Sequence, residues 1–264
     1  MDFNWNEWLN LALRWLHVFA GILWVGQTFF FTWLDARFSQ EEKVWMVHSG
    51  GFYVVEKQKV PELLPRTLHW FKWEAALTWL SGFVLLNLMY YHGGLMVDTD
   101  VAKLGVWTAS GIGLAAIVAG WVVYDLLWLS PLGKNEAAGA AVSYVLLVAV
   151  TYGFAHTLSG RAAYMHVGAL MGTIMAANVW MRILPAQRQL IAAVKEGTAP
   201  PEVSGLAARA KQRSEHNTFM VIPVVLIMLS NHYPVATYGN RYGWLILAAL
   251  LLVGAGVAKL LRRA

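Results

Sequence analysis

Apolar residues run along this chain in long blocks, broken by short polar stretches. The blocks cover about residues 8–34, 73–91, 104–129, 137–158, 162–184, 213–234 and 242–261. Each is about 17–27 residues long, the length a helix needs to cross a bilayer core with some tilt. The pattern predicts an all-α fold: a polytopic membrane bundle of about seven transmembrane helices in a single integral membrane domain. The longest polar connections are expected at 35–72 and 185–215. The first carries Pro61 and Pro65; the second reads as two charged helical pieces broken at Pro200 and Pro201. No internal repeat is evident.

The sixth block stands out. It opens on Arg213 and His216, runs through mostly apolar residues, and closes on His232 and Pro234. Sixteen residues of helix separate the histidines by about 24 Å, close to the roughly 30 Å of a hydrocarbon core. They point to nearly opposite sides of a straight helix, so they are expected to serve different ends of the molecule. Pro223 interrupts the block and frees the Phe219 carbonyl.

Composition sharpens this picture. Charged residues make up 13% of the chain, about half the share of a soluble domain. The 14 Trp suit a protein with two membrane–water interfaces. There is no Cys, which removes disulfides, thiolate metal sites, iron–sulfur ligation and covalent c-type haem. His is then the main candidate for ligation. The amino-terminal MDFNWNEW is acidic and aromatic and does not read as a signal peptide, so the first helix is expected to be retained. The net charge of +5 suits membrane-edge loops rather than nucleic acid.

Charge also orients the bundle. Of 20 Lys and Arg, only Arg14, Lys103, Arg161 and Arg241 fall on the side of the amino terminus. The other sixteen fall on the opposite side, which the positive-inside rule makes cytoplasmic. The amino terminus is then external and the carboxy terminus cytoplasmic.

That topology sorts the candidate chemistry by depth. His17 and His166 enter from the external side and lie inside spans, where a polar residue is costly without a partner or a function. His17, Gly21, Trp24 and Thr28 share one helical face, as do His166, Leu170, Thr173 and Ala177; Gly168 and Gly172 flank the latter. Two imidazoles could grip iron or copper between helices, with glycines admitting a flat macrocycle. Plain helix packing explains the same glycines. A haem, a bare metal and no cofactor all remain open here.

At the cytoplasmic side, His69, Lys72, Trp73 and Glu74 open the second block. Glu74 suits a helix start through the macrodipole. The same residues suit a planar anionic ligand: aromatic faces to stack on, Lys72 to meet charge, Glu74 or His69 to move a proton. His216 and Asn217 could join them. Asn178, an amide inside a span, needs a partner. Asp125 has a simple expected partner in Lys134, across a short loop.

Several stretches resemble one family. These are His69–Trp70–Phe71–Lys72–Trp73–Glu74–Ala75 followed by Thr78–Trp79–Leu80–Ser81–Gly82–Phe83; Ser130–Pro131–Leu132–Gly133–Lys134–Asn135; Gly172–Thr173–Ile174–Met175–Ala176–Ala177–Asn178–Val179; and His216–Asn217 with Ser230–Asn231–His232–Tyr233–Pro234. Together they resemble the membrane-bound urate hydroxylases of the PuuD type, over essentially the whole chain. The resemblance implies a bacterial inner-membrane enzyme of purine catabolism that oxidises urate to 5-hydroxyisourate and passes electrons to a cytochrome c. Members usually carry a C-terminal cytochrome c domain. This sequence has no C-x-x-C-H, so the acceptor is expected to be a separate protein.

The first block, from Arg14–Trp15–Leu16–His17 to Trp24–Val25–Gly26, is loosely similar to the opening helix of membrane protoporphyrinogen oxidases and copper-resistance membrane proteins. The expected arrangement has Glu74, His69 and His216 as catalytic groups and Lys72, Trp73, Asn217 and Asn178 as urate-binding groups. Haem b, or alternatively copper or nothing, is expected at His17 and His166. A haem- or copper-handling protein without urate chemistry, and a purine transporter, are the competing readings.

Overall fold

The computed structural model describes residues 4–58, 68–197 and 201–262, with side chains from residue 205 in the last stretch. Pro61, Pro65 and Pro200, with Lys59, Arg66 and Arg263, lie outside the described residues. Helix α1 spans Trp5–Arg37, its first amides capped by the Asn4 side chain. A two-stranded antiparallel hairpin follows, β1 (Lys43–His48) and β2 (Gly51–Glu56). Helix α2 (Trp73–Leu86) continues as a π-helical turn over Asn87–Tyr91. Then come α3 (Val106–Leu129), a 3-10 turn at Pro131–Lys134, and α4 (Glu136–Ala155).

Helix α5 (Gly160–Ala177) runs through a π-helical turn, Asn178–Ile183, into α6 (Leu184–Lys195). The chain closes with α7 (Pro201–Ser230) and α8 (Gly243–Leu261). The helical blocks therefore fall close to where the apolar pattern placed them. Among the described residues, five helices are long and apolar enough to cross a membrane: Trp5–Arg37, Val106–Leu129, Glu136–Ala155, Gly160–Lys195 and Gly243–Leu261. The second block is divided between an α and a π segment, and α7 is diluted by a charged first half.

The all-α expectation needs one correction. In the 35–72 connection, Lys43–His48 and Gly51–Glu56 pair as strands around a tight turn, with Ser49 and Gly50 at positive φ. β-Branched and aromatic residues fill most of both arms, which favours a strand over a loop. The 185–215 connection is also mostly helix, since α6 extends the fifth block and α7 starts at Pro201.

Helix α5 is the centre of the bundle. Residues 162–168 are buried without interruption, and α2, α3, α4 and α7 all pack around the helix. By contrast α1 packs mainly on α2 and leaves Trp8, Trp15, Phe19 and Ile22 exposed, as a lipid-facing helix must. At Gly168 α7 comes close to α5: a Cβ there would meet Ile227 at 2.9 Å. That glycine therefore serves helix packing. Pro223 does not end α7; it sits against Gly254 of α8, where a Cβ would lie 2.8 Å from the proline ring.

Contacts between the ends of different helices define two ends of the bundle. Ser159 bonds the backbone at Leu95 and Met96, and Arg161 donates to Asn231, at the end where α1 begins. Gln212 reaches Gly133, and Arg262 pairs with Glu215, at the other. We call these the N-terminal face and the basic face.

Candidate functional site

At the basic face, α3, the π turn and α7 meet through side chains rather than apolar surface. Tyr124 stands at the centre. Its hydroxyl lies 2.7 Å from His216 Nδ1 and accepts from the Asn178 amide at 3.0 Å. The second amide hydrogen of Asn178 goes to Asn217 Oδ1 at 2.9 Å, and Asn217 donates to the Met175 carbonyl at 3.0 Å. Because Tyr124 accepts from Asn178, its own proton is free for His216 Nδ1, which leaves the histidine N–H on Nε2. The His216 ring packs 4.0 Å from Trp128.

One residue further along α3, Asp125 receives two arginines. Arg213 donates to Oδ1 at 2.9 Å, and Arg182 donates to both carboxylate oxygens. The expected Asp125–Lys134 pair does not form: Ser130 and Pro131 turn the chain into a 3-10 segment, while α7 brings Arg213 directly against the carboxylate. Arg213 also lies over the Tyr124 ring, 4.9 Å from its centroid.

Asn178 and Arg182 both belong to the π-helical turn. Such turns inside α-helices are frequent at functional sites because the extra residue re-aims side chains. Here the turn presents one residue to Tyr124 and Asn217 and another to Asp125.

The network is fully engaged but incompletely satisfied. Asn178 Oδ1 and one terminal nitrogen of Arg213 are buried without a hydrogen-bond partner, in residues 0% and 4% exposed. Glu74 has one carboxylate oxygen in the same condition.

The residues grouped by sequence at this face form two neighbouring sets. Asn178, Asn217 and His216 are in the network. Lys72 and Trp73 sit beside it: the Lys72 ammonium lies 5.9, 5.3 and 5.9 Å from the rings of Trp70, Trp73 and Trp180. Trp180 belongs to the same π turn as Asn178 and is the link between the sets. Glu74 lies next to Trp73 at the start of α2. His69 is exposed and packs on Phe71 at 4.6 Å, outside the network. Tyr124 and Arg213 were not picked out by sequence. Their signals were a Tyr–Asp pair inside an apolar run and an Arg one turn before His216–Asn217.

The two intramembrane histidines are held separately. His17 Nδ1 is 2.9 Å from the Thr78 carbonyl and 3.2 Å from Ser81 Oγ, so α1 docks it on α2. His166 Nδ1 is 2.8 Å from the Ala162 carbonyl, and its Nε2 is 3.2 Å from the Tyr91 hydroxyl. A carbonyl only accepts, so both Nδ1 atoms carry the proton and both Nε2 atoms present a lone pair. That is how second-shell bonds prepare imidazoles as ligands.

Each ring rests on a glycine, Gly82 for His17 and Gly113 for His166; a Cβ at either would lie 2.7 Å from the ring. Ser110 Oγ, one turn before Gly113, is buried without a partner. Among the described residues no three His, Asp or Glu come together to hold a metal ion. At His166, ligation would displace the Tyr91 hydroxyl.

Mostly apolar helices of spanning length around a buried ionic network define a multi-pass helical membrane protein. The particular family follows from sequence comparison: the model of the urate oxidase N-terminal family matches residues 4–263, and the chain belongs to that family. No curated protein and no solved structure matches it.

Proposed function

We propose that this protein is a membrane-bound urate hydroxylase converting urate to 5-hydroxyisourate, with electrons passing to a separate cytochrome c. The observation that carries the reading is the match to the urate oxidase N-terminal family, which covers the chain from residue 4 to 263. The seven spans are read from the apolar blocks, and the Lys and Arg bias makes the basic face cytoplasmic and the N-terminal face external. A bacterial inner membrane is what the family resemblance implies.

Urate is a planar monoanion near neutral pH. Its site is at the basic face, beside the Asn178–Asn217–His216 network and the Lys72–Trp73 patch. Trp73 offers a stacking surface and Lys72 a nearby positive charge. The reaction joins a hydroxyl from water to C5 of the urate anion, releasing one proton and two electrons. Glu74, with a carboxylate oxygen lacking any partner, is placed to take a proton, and His69 can pass it to solvent from its exposed position. His216 exchanges its proton through Nε2 while Tyr124 fixes the ring through Nδ1.

His17 and His166 would hold haem b through their Nε2 atoms. When bound, that group supplies one-electron carriage from the interior toward the N-terminal face. Thr78 and Ala162 keep both imidazoles in the ligating tautomer.

Purified protein given urate and oxidised cytochrome c should deplete urate's ultraviolet absorbance and reduce the cytochrome. Absence of both, with the cytochrome active in a control reaction, overturns the enzyme. A Soret band without urate turnover favours a haem-handling protein, and urate uptake into liposomes without oxidation favours a transporter.

A further inference from the structure

Within the basic-face network, two residues that touch Tyr124, Asn178 and Arg213, each keep one polar atom without a partner. Asn178 donates both amide hydrogens, to Tyr124 and Asn217, and its Oδ1 is left buried and bare. Arg213 stacks on the Tyr124 ring, gives one terminal nitrogen to Asp125, and leaves the other buried and bare. A buried acceptor and a buried cationic donor of this kind carry a desolvation cost that a bound polar group removes. Their chemistry is complementary to one kind of ligand, a small planar anion that offers an N–H and a negatively charged oxygen or ring nitrogen.

Charge points the same way. One carboxylate, Asp125, faces two guanidiniums, Arg182 and Arg213, so the cluster holds excess positive charge. Glu215, the nearby acid on α7, is taken by Arg262. The Lys72 ammonium is already faced by three indole rings. Arg182 is partly solvent-exposed, so the network lies one side chain from the basic face.

We propose that Arg213 and Asn178 form a two-point recognition pair for the urate anion, Arg213 donating to its charged edge and Asn178 accepting one of its ring N–H groups. The pair rests on the urate reading given above and adds the residues that select the anion. The planar guanidinium is the appropriate cation, since its second nitrogen stays directed while the first is bound to Asp125.

The test uses the full chain in lipid nanodiscs. Equilibrium dialysis with radiolabelled urate, in the absence of acceptor, measures binding; turnover with oxidised cytochrome c gives KM and kcat separately. Arg213→Lys keeps a cation for Asp125 but gives up the second nitrogen. Asn178→Leu removes the acceptor, along with the amide's bonds to Tyr124 and Asn217, without touching any charge. Lys43→Gln, on the hairpin surface, is the charge control.

Each site variant should weaken urate binding and raise KM by about tenfold or more, the scale of one lost charged or buried hydrogen bond. The kcat of Arg213→Lys should fall much less, and Lys43→Gln should match the wild type. A purely structural Arg213 would lower thermal stability and leave KM unchanged, which overturns the pair. Should Arg213→Lys fail to fold, Asn178→Leu decides alone, with unchanged KM overturning the pair. Wild-type protein that neither binds nor oxidises urate overturns the urate reading itself, and the pair with it.

Discussion

The bundle contains two buried polar regions built on opposite principles. Near its middle and N-terminal half, His17 and His166 are single imidazoles, each pinned to a backbone carbonyl and each resting on a glycine. At the basic face, Tyr124, Asp125, Asn178, Arg182, Arg213, His216 and Asn217 bond to one another across three helices. The first region holds each imidazole through its Nδ1, leaving Nε2 of His17 without a hydrogen bond among the described residues and Nε2 of His166 on the Tyr91 hydroxyl. The second couples its groups and leaves donors and acceptors bare among them. Under the proposed function, the first region would serve a held cofactor and the second a ligand that comes and goes.

The largest way to break this contrast is at Asp125. Asp125→Ala leaves two arginines uncompensated, one of them Arg213 at 4% exposure. Removing one partner of a buried ion pair costs about 3–5 kcal/mol. Thermal unfolding in detergent should show a large fall in midpoint, with urate binding lost. An unchanged midpoint would show the network to be mere decoration.

A smaller effect is expected at the glycines under the histidines. Gly113→Ala places a methyl 2.7 Å from the His166 ring, and overpacking of this kind costs about 1–3 kcal/mol. The Soret band should weaken or shift, while Gly172→Ala, which meets nothing within 4 Å, should leave it alone. Equal spectra in both variants would separate His166 from any haem.

Tyr91→Phe is expected to be milder. It removes the hydroxyl on His166 Nε2, at about 1 kcal/mol for a neutral hydrogen bond, and clears that nitrogen for ligation. Haem retention should be equal or better, and a loss of haem would make Tyr91 part of its site. The smallest effect is predicted for Lys43→Gln, whose partner Glu56 is also exposed on the hairpin; the unfolding midpoint should not move measurably.

The two regions also differ in how readable they were. Length and apolar run placed the helical blocks, because crossing a bilayer fixes both. The histidines inside spans were visible for the same reason, as was Asn178. The partners of Asp125 were not visible. Lys134 is near in sequence, but helix packing delivers Arg182 and Arg213 from 57 and 88 residues away. The role of Gly168 was equally hidden, since spacing alone does not say whether a helix or a macrocycle lies opposite. The hairpin was missed because its strands were read as part of a long loop, although Trp45, Val47, Phe52 and Val54 fall on one face of the paired arms.

The central claim is that urate reacts at the basic face while electrons leave toward the N-terminal face. Sealed proteoliposomes with one orientation of the protein, established by protease access to the hairpin, test it directly. Urate supplied at the basic face and oxidised cytochrome c at the N-terminal face should give urate loss and cytochrome reduction in a ratio of one to two. Swapping the compartments should abolish both. Turnover that is indifferent to side, or that requires both reactants at one face, would contradict the account.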